Sequence, residues 1–164
     1  MKDVIAQGEL FGALPVLPGG LEYRLEFITA EEEQALLEEF RKLPLENAAY
    51  KEYTARRRTT AFGSEYDFGE NILEAAPAVP PFLFPLRDRL AEWLQIAPSR
   101  FVQALVSEYR PGTPLGWHRD VPQFEVIAGV SLGTPCRMRF RPYDPARDDA
   151  SRAETFTLDL QPRS

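Results

Sequence analysis

The sequence holds one histidine, His118, and an aspartate, Asp120, follows it two positions later. On extended backbone, residues i and i+2 project to the same side. An imidazole nitrogen and a carboxylate oxygen at this spacing therefore converge on one cation. Such a pair with a distant second histidine makes the facial triad that holds non-haem iron, with positions left open for reacting molecules. The flanks suit that use. Pro111-Gly112-Thr113-Pro114-Leu115-Gly116 gives a pliant approach, and Trp117 stands directly before the histidine. On spacing alone the commoner reading is two ordinary loop residues.

A second stretch has the residue types for a different task. Arg56-Arg57-Arg58-Thr59-Thr60-Ala61-Phe62-Gly63 joins a basic cluster to a β-tending segment, with Tyr53, Tyr66 and Phe68 interleaved around it. Cations recognise phosphates, and aromatic faces stack on bases. The same composition also suits a strand edge guarded by charge against aggregation. A net charge of −6 argues against a broad nonspecific grip on nucleic acid and leaves room for a local basic patch.

The elements that must position these residues follow from periodicity. Residues 21–27 alternate apolar and polar and predict a strand. Thr29 and Glu32 form a capping-box pattern for a helix that runs to Leu43, with Leu36, Phe40 and Leu43 on its apolar face. A proline-rich loop, 71–81, leads into a second helix, 82–95, with an apolar stripe that includes Phe82, Leu86, Leu90 and Trp93. Strands are predicted at 101–109, 124–132, 136–141 and 154–160, with a polar loop at 144–152. On the first of these, Leu105, Ser107 and Tyr109 share a face that leads towards the His118 turn.

Helices before a run of strands predict an α+β domain built on a jelly-roll sandwich, and 164 residues suit a single domain, 1–164, with a real core. No apolar run approaches the roughly 20 residues of a membrane span, so no membrane partner is expected. Met1-Lys2-Asp3-Val4 lacks the layout of a signal peptide. Cys136 is the only cysteine, which excludes an internal disulfide and fits a reducing cytoplasm. A monomer is expected.

Several motifs in order carry a resemblance. Tyr109-Arg110-Pro111-Gly112, His118-Arg119-Asp120, Gly129-Val130-Ser131-Leu132-Gly133 and Arg137-Met138-Arg139-Phe140 together resemble the AlkB-like iron(II)- and 2-oxoglutarate-dependent dioxygenases. Arg57-Arg58, leading to Phe62-Gly63 and Tyr66, is similar to the upstream nucleotide-recognition region of that family. The resemblance implies a double-stranded β-helix with flanking N-terminal helices. It implies iron(II) on His118 and Asp120 as catalytic ligands, with 2-oxoglutarate as cosubstrate and O2 as oxidant. Tyr109 takes the place of a hydrogen-bond donor to 2-oxoglutarate, and Ser107 stands where many relatives have an asparagine for the same cosubstrate. Arg57, Arg58, Tyr66 and Trp117 become candidate contacts to an alkylated nucleic acid, DNA or RNA. The implied reaction is oxidative demethylation of an N-alkylated base, flipped out of its stack to be reached. Pro122 stands where some members have a substrate-contacting acid, which leaves base preference open.

The sequence departs from that pattern towards its end. The family uses a second iron-binding histidine and a later arginine for the distal carboxylate of 2-oxoglutarate. The sequence has no second histidine and ends Leu160-Gln161-Pro162-Arg163-Ser164. The expectation is a chain incomplete at its C-terminus, with the last strands missing and the 164-residue form inactive. Two other classes stay open: an oxygenase acting on a protein or small molecule, and a non-catalytic jelly-roll binding module.

Overall fold

A computed structural model describes residues 17–50, 53–67, 72–142 and 155–164. The N-terminal Met1-Lys2-Asp3-Val4, Phe68, Asn71, the loop 144–152 and Glu154 lie outside the described residues. The chain divides into two compact units, Glu31–Gly129 and a second one made of Met1–Ala30 with Val130–Ser164.

The larger unit opens with helix α1 (Ala30–Phe40), whose first turn carries Glu31, Glu32 and Glu33 where the helix dipole favours negative charge. Leu36 is its buried residue. The helix stops short of the predicted Leu43. There the amides of Lys42 and Leu43 turn to carbonyls three residues back, at Glu39 and Phe40, which tightens and ends the coil. Helix α2 (Phe84–Leu94) follows a short 3-10 turn at Pro81–Leu83, and Pro85 sits in its first turn, where a missing amide costs nothing. The left-handed Gln95 (φ 55°) closes it. Arg89 on α2 makes a two-point ion pair with Glu32 on α1, and the Phe40 and Phe82 rings meet edge to face at 5.8 Å.

The strands of this unit are β1 (Glu46–Tyr50), β2 (Tyr53–Phe62), β3 (Ser64–Asp67), β4 (Ile72–Ala75) and β5 (Ala104–Glu108). They form two antiparallel sheets, β1-β2-β5 and β3-β4. β4 corrects the predicted proline-rich loop. The prolines that cannot donate to a ladder begin only at Pro77, so Ile72–Ala75 keeps its amides for β3. Gly63 joins β2 to β3 at φ +80°, a conformation glycine adopts without strain. Its amide donates to Pro77 O at 2.7 Å, its carbonyl accepts from Ala76 at 3.2 Å, and the Ser64 hydroxyl donates to Val102 O. Ala61 and Phe62 are buried beside this junction in sequence, at the end of the central strand.

In the smaller unit β6 (Cys136–Phe140) pairs antiparallel with β7 (Phe156–Leu160). Among its described residues Phe27, Ile28 and Leu158 are the buried apolar ones. Arg137 donates to Asp159 at 2.8 Å across the pair, and the Phe140 and Phe156 rings lie 6.3 Å apart. Two predicted strands do not form. Residues 21–27 break at Glu26, whose φ of 49° is incompatible with extended backbone, and the Glu26 carboxylate instead takes Arg163. Residues 124–132 have the alternation of a strand but no ladder. Among the described residues it is Ser131 that makes long-range backbone bonds, donating to Ser164 O at 2.9 Å and accepting from Arg163 N at 2.7 Å. A β-period gives a segment the capacity to pair, and a ladder still needs a neighbour. Among the described residues the three sheets are antiparallel and the helices few, which agrees with the predicted α+β class.

Candidate metal centre

His118 and Asp120 lie in the irregular segment after β5. The Nδ1 of His118 is 2.9 Å from the carbonyl oxygen of Gly116. A carbonyl can only accept, so Nδ1 carries the hydrogen and the neutral ring keeps its lone pair on Nε2. That nitrogen is 3.9 Å from Oδ1 of Asp120. The side chains are 50% and 63% exposed, so a cation reaches them from solvent. Two donors each about 2.1 Å from one cation at a right angle stand about 3 Å apart, so an inward movement of about 1 Å closes this pair on an ion. The donor set fits: one neutral nitrogen with its tautomer fixed by a backbone acceptor, and one anionic oxygen. It supplies two positions of a triad. Among the described residues no group of three or more His, Cys, Asp and Glu side chains could hold a metal ion.

The cosubstrate candidates come from β5. The β2–β5 register sets Thr59 opposite Ser107 and Arg58 opposite Glu108. The pairing puts Thr59 and Ser107 on one face of the ladder and Arg58 and Glu108 on the other, and β2 is irregular against β1 between Arg58 and Thr54, so Arg57 is placed by its own contact. Arg57 donates from Nη1 to Tyr109 Oη at 3.3 Å. Arg58 makes a two-point ion pair with Glu108, one limb being Nε to Oε1 at 3.2 Å, and Arg110 adds a longer contact at 3.4 Å. The hydrogen bond from Arg58 holds the Glu108 carboxyl below its ordinary range; desolvation opposes it, and the charge of Arg58 and the contact of Arg110 add to the lowering.

The structure therefore separates Arg57 from Arg58. The sequence assigned both to one nucleic-acid contact, while the strand gives their guanidiniums different faces and different partners. Of the aromatic candidates, Trp117 is 44% exposed beside His118 in sequence, and the part-buried Tyr66 lies on β3, opposite Leu73. Two groups in the site escaped the sequence reading. Gly116 acts through a backbone carbonyl, which residue type does not reveal. Glu108 carries a charge that the sequence shows, but its partner emerges only from the strand register.

A family model described as the 2OG-Fe(II) oxygenase superfamily matches residues 21–164. The match is to the superfamily and names no subfamily. No curated protein and no solved structure matches the chain.

Proposed function

This chain belongs to the 2OG-Fe(II) oxygenase superfamily, and from that premise we propose that it is an AlkB-like dioxygenase that removes methyl groups from N-alkylated bases of DNA or RNA. The observation that carries the reading is the His118–Asp120 pair, with the Nε2 lone pair facing a carboxylate and the exposed Trp117 ring next to it in sequence. His118 would hold iron(II) through Nε2 and Asp120 through a carboxylate oxygen. Bound iron supplies the activation of O2, coupled to decarboxylation of 2-oxoglutarate.

The chain's own residues do the rest of the positioning. The hydroxyls of Ser107 and Tyr109 donate hydrogen bonds to the cosubstrate. Trp117 offers a face on which a flipped base stacks, and Tyr66 offers a second. Arg56 is exposed and is the arginine of the basic run that we assign to the phosphate backbone. Arg58 reaches a phosphate only by giving up Glu108. The double-stranded β-helix typical of the resemblance is the arrangement this reading requires. No helix among the described residues is long and apolar enough to cross a membrane.

Two observations favour a second reading, an oxygenase acting on a protein or small molecule. The net charge is −6, and Glu108 already neutralises part of the basic run. Succinate release in the presence of iron(II), 2-oxoglutarate and O2 separates the two. Methylated DNA or RNA oligonucleotides should raise it above the rate without substrate. Stimulation by protein extract alone would move the assignment to the second reading. No release with any of them, from protein that retains no iron, would leave a binding module.

A further inference from the structure

The outer edge of β5 is open. In the order β1-β2-β5 this strand stands at the side of its sheet, and among the described residues nothing pairs with it there. Strand edges are ordinarily guarded by a bulge, a proline or an outward charge. β5 pairs with β2 residue for residue without a bulge, contains neither proline nor lysine, and its one charge, Glu108, is held by Arg58. Val102 and Leu105, along this edge, are half-exposed.

The same unit carries a segment with the opposite deficit. Residues 124–129 have the alternation of a strand and, among the described residues, no ladder. Val126 and Ile127 in it are half-exposed too. Arg100 donates from Nη2 to Glu125 at 2.8 Å, which brings the segment near the start of β5. A vacant edge and an unpaired strand are therefore neighbours in one unit. Two copies related by a two-fold axis satisfy both deficits at once, each β5 receiving the other's segment. An antiparallel register with Val126 opposite Leu105 sets Ile127 diagonally across from Val102, so the four half-exposed side chains cover one another. Charge agrees with that pairing. The exposed cations Arg100 and Arg110 flank the acceptor edge, whereas the donor segment carries Glu125 and no cation. A slide by two residues would set Glu125 opposite Glu108, and like charges directly opposite are destabilising.

We propose that residues 124–129 of one copy add as an antiparallel fourth strand to the β5 edge of a second copy, and reciprocally, in a closed two-fold dimer. This dimer takes the place of the monomer that the sequence suggests. It pairs β5, the strand that carries Ser107, on both edges.

The test is the oligomeric state, measured by sedimentation velocity across the micromolar range. The wild-type chain should pass from monomer to dimer as concentration rises, and amide exchange at 126–129 should slow in parallel, a readout that needs no substitution. Leu105→Lys places a charge on the acceptor edge, and Ile127→Pro removes an amide from the donor. Each should raise the dimer dissociation constant about tenfold or more. Monomer unfolding midpoints should change little, since both side chains are exposed. An equal mixture of the two variants should form a dimer tighter than either variant forms alone, because the intact donor of the first still meets the intact acceptor of the second. A wild-type chain that stays monomeric throughout overturns the proposal, as does a dimer that both variants leave intact. A mixture no tighter than its components overturns the exchange, and open-ended oligomers in place of a dimer overturn the two-fold closure.

Discussion

Gly63 gives a sharp test of how the site is framed. A Cβ built on it would lie 2.4 Å from the carbonyl oxygen of Val102 and 3.3 Å from the carbonyl carbon, at a backbone φ of +80°. Gly63→Ala therefore meets two separate costs. The left-handed backbone conformation costs about 1–2 kcal/mol for any L-residue with a side chain. The clash is with backbone, which no rotamer relieves, and displacing the Val102 segment ahead of β5 to admit a methyl adds about 1–3 kcal/mol. Backing away is impeded by the hydrogen bonds of Gly63 to Pro77 and Ala76. The sum, about 2–5 kcal/mol, is a large part of the stability of an ordinary domain. Gly112 is the control. Its φ is +76°, with nothing within 4 Å of the added methyl, so Gly112→Ala carries only the conformational cost, about 1–2 kcal/mol. Urea unfolding of the three proteins at a common slope reads both terms. The difference between the variants isolates the clash. Equal midpoints for Gly63→Ala and Gly112→Ala would refute the close approach of Val102. Because Val102 leads directly into β5, Gly63→Ala should also weaken 2-oxoglutarate binding at Ser107 and Tyr109.

Three further outcomes follow from the site. His118→Ala or Asp120→Ala should weaken binding of iron(II) or manganese(II) while changing unfolding midpoints little, since the side chains are 50% and 63% exposed; undiminished metal affinity in either variant refutes the metal assignment. Glu108→Gln should destabilise the chain at neutral pH by up to about 1 kcal/mol, a figure held down by solvent screening of the partly exposed pair. Arg58 lowers the Glu108 carboxyl in the folded chain, so the stabilisation is present above the ordinary value of 4.5 and is lost as the pH falls through the folded value; wild-type and variant unfolding midpoints should therefore converge in acid, and a gap that persists there counts against the ion pair. Arg56→Ala should lower the salt slope of oligonucleotide binding by about 0.7–0.9, one phosphate's share, whereas Arg58→Ala should leave the slope nearly unchanged because its charge is already matched.

How much of this was legible in the sequence depends on how far apart the interacting groups lie along the chain. His118 and Asp120 are two residues apart, so local backbone geometry alone suggests their convergence. The tautomer that leaves the lone pair on Nε2 depends on the Gly116 carbonyl, and every residue has a carbonyl. Helices α1 and α2 were visible because an apolar stripe and a proline in the first turn are local signals too. The segment 124–132 shows the opposite case. Its alternation was real, and the ladder it implied depended on a partner that periodicity cannot name. β4 was hidden for a related reason, since the prolines just after it masked four residues whose amides are all available.

The arginine run is the case where sequence and register must be combined. Arg56, Arg57 and Arg58 are one residue type in one strand, and composition treats them as one patch. Their contacts separate two of them, since Arg57 bonds the Tyr109 hydroxyl and Arg58 holds Glu108, and an irregularity of β2 against β1 falls within this run. Which face meets Tyr109 and which meets Glu108 is fixed only by the pairing of Arg58 with Glu108 across β2 and β5. A one-residue slip would exchange the partners, setting Arg57 opposite the acid and leaving Arg58 to the face of Ser107 and Tyr109. An Arg57–Glu108 pair of the same kind would form in the slipped register, so the ion pair by itself does not choose between the two. The choice falls to the other end of the ladder, where the Ser64 hydroxyl donates to Val102 O and the Gln103 amide donates to Ser64 O, bonds that a slip would break.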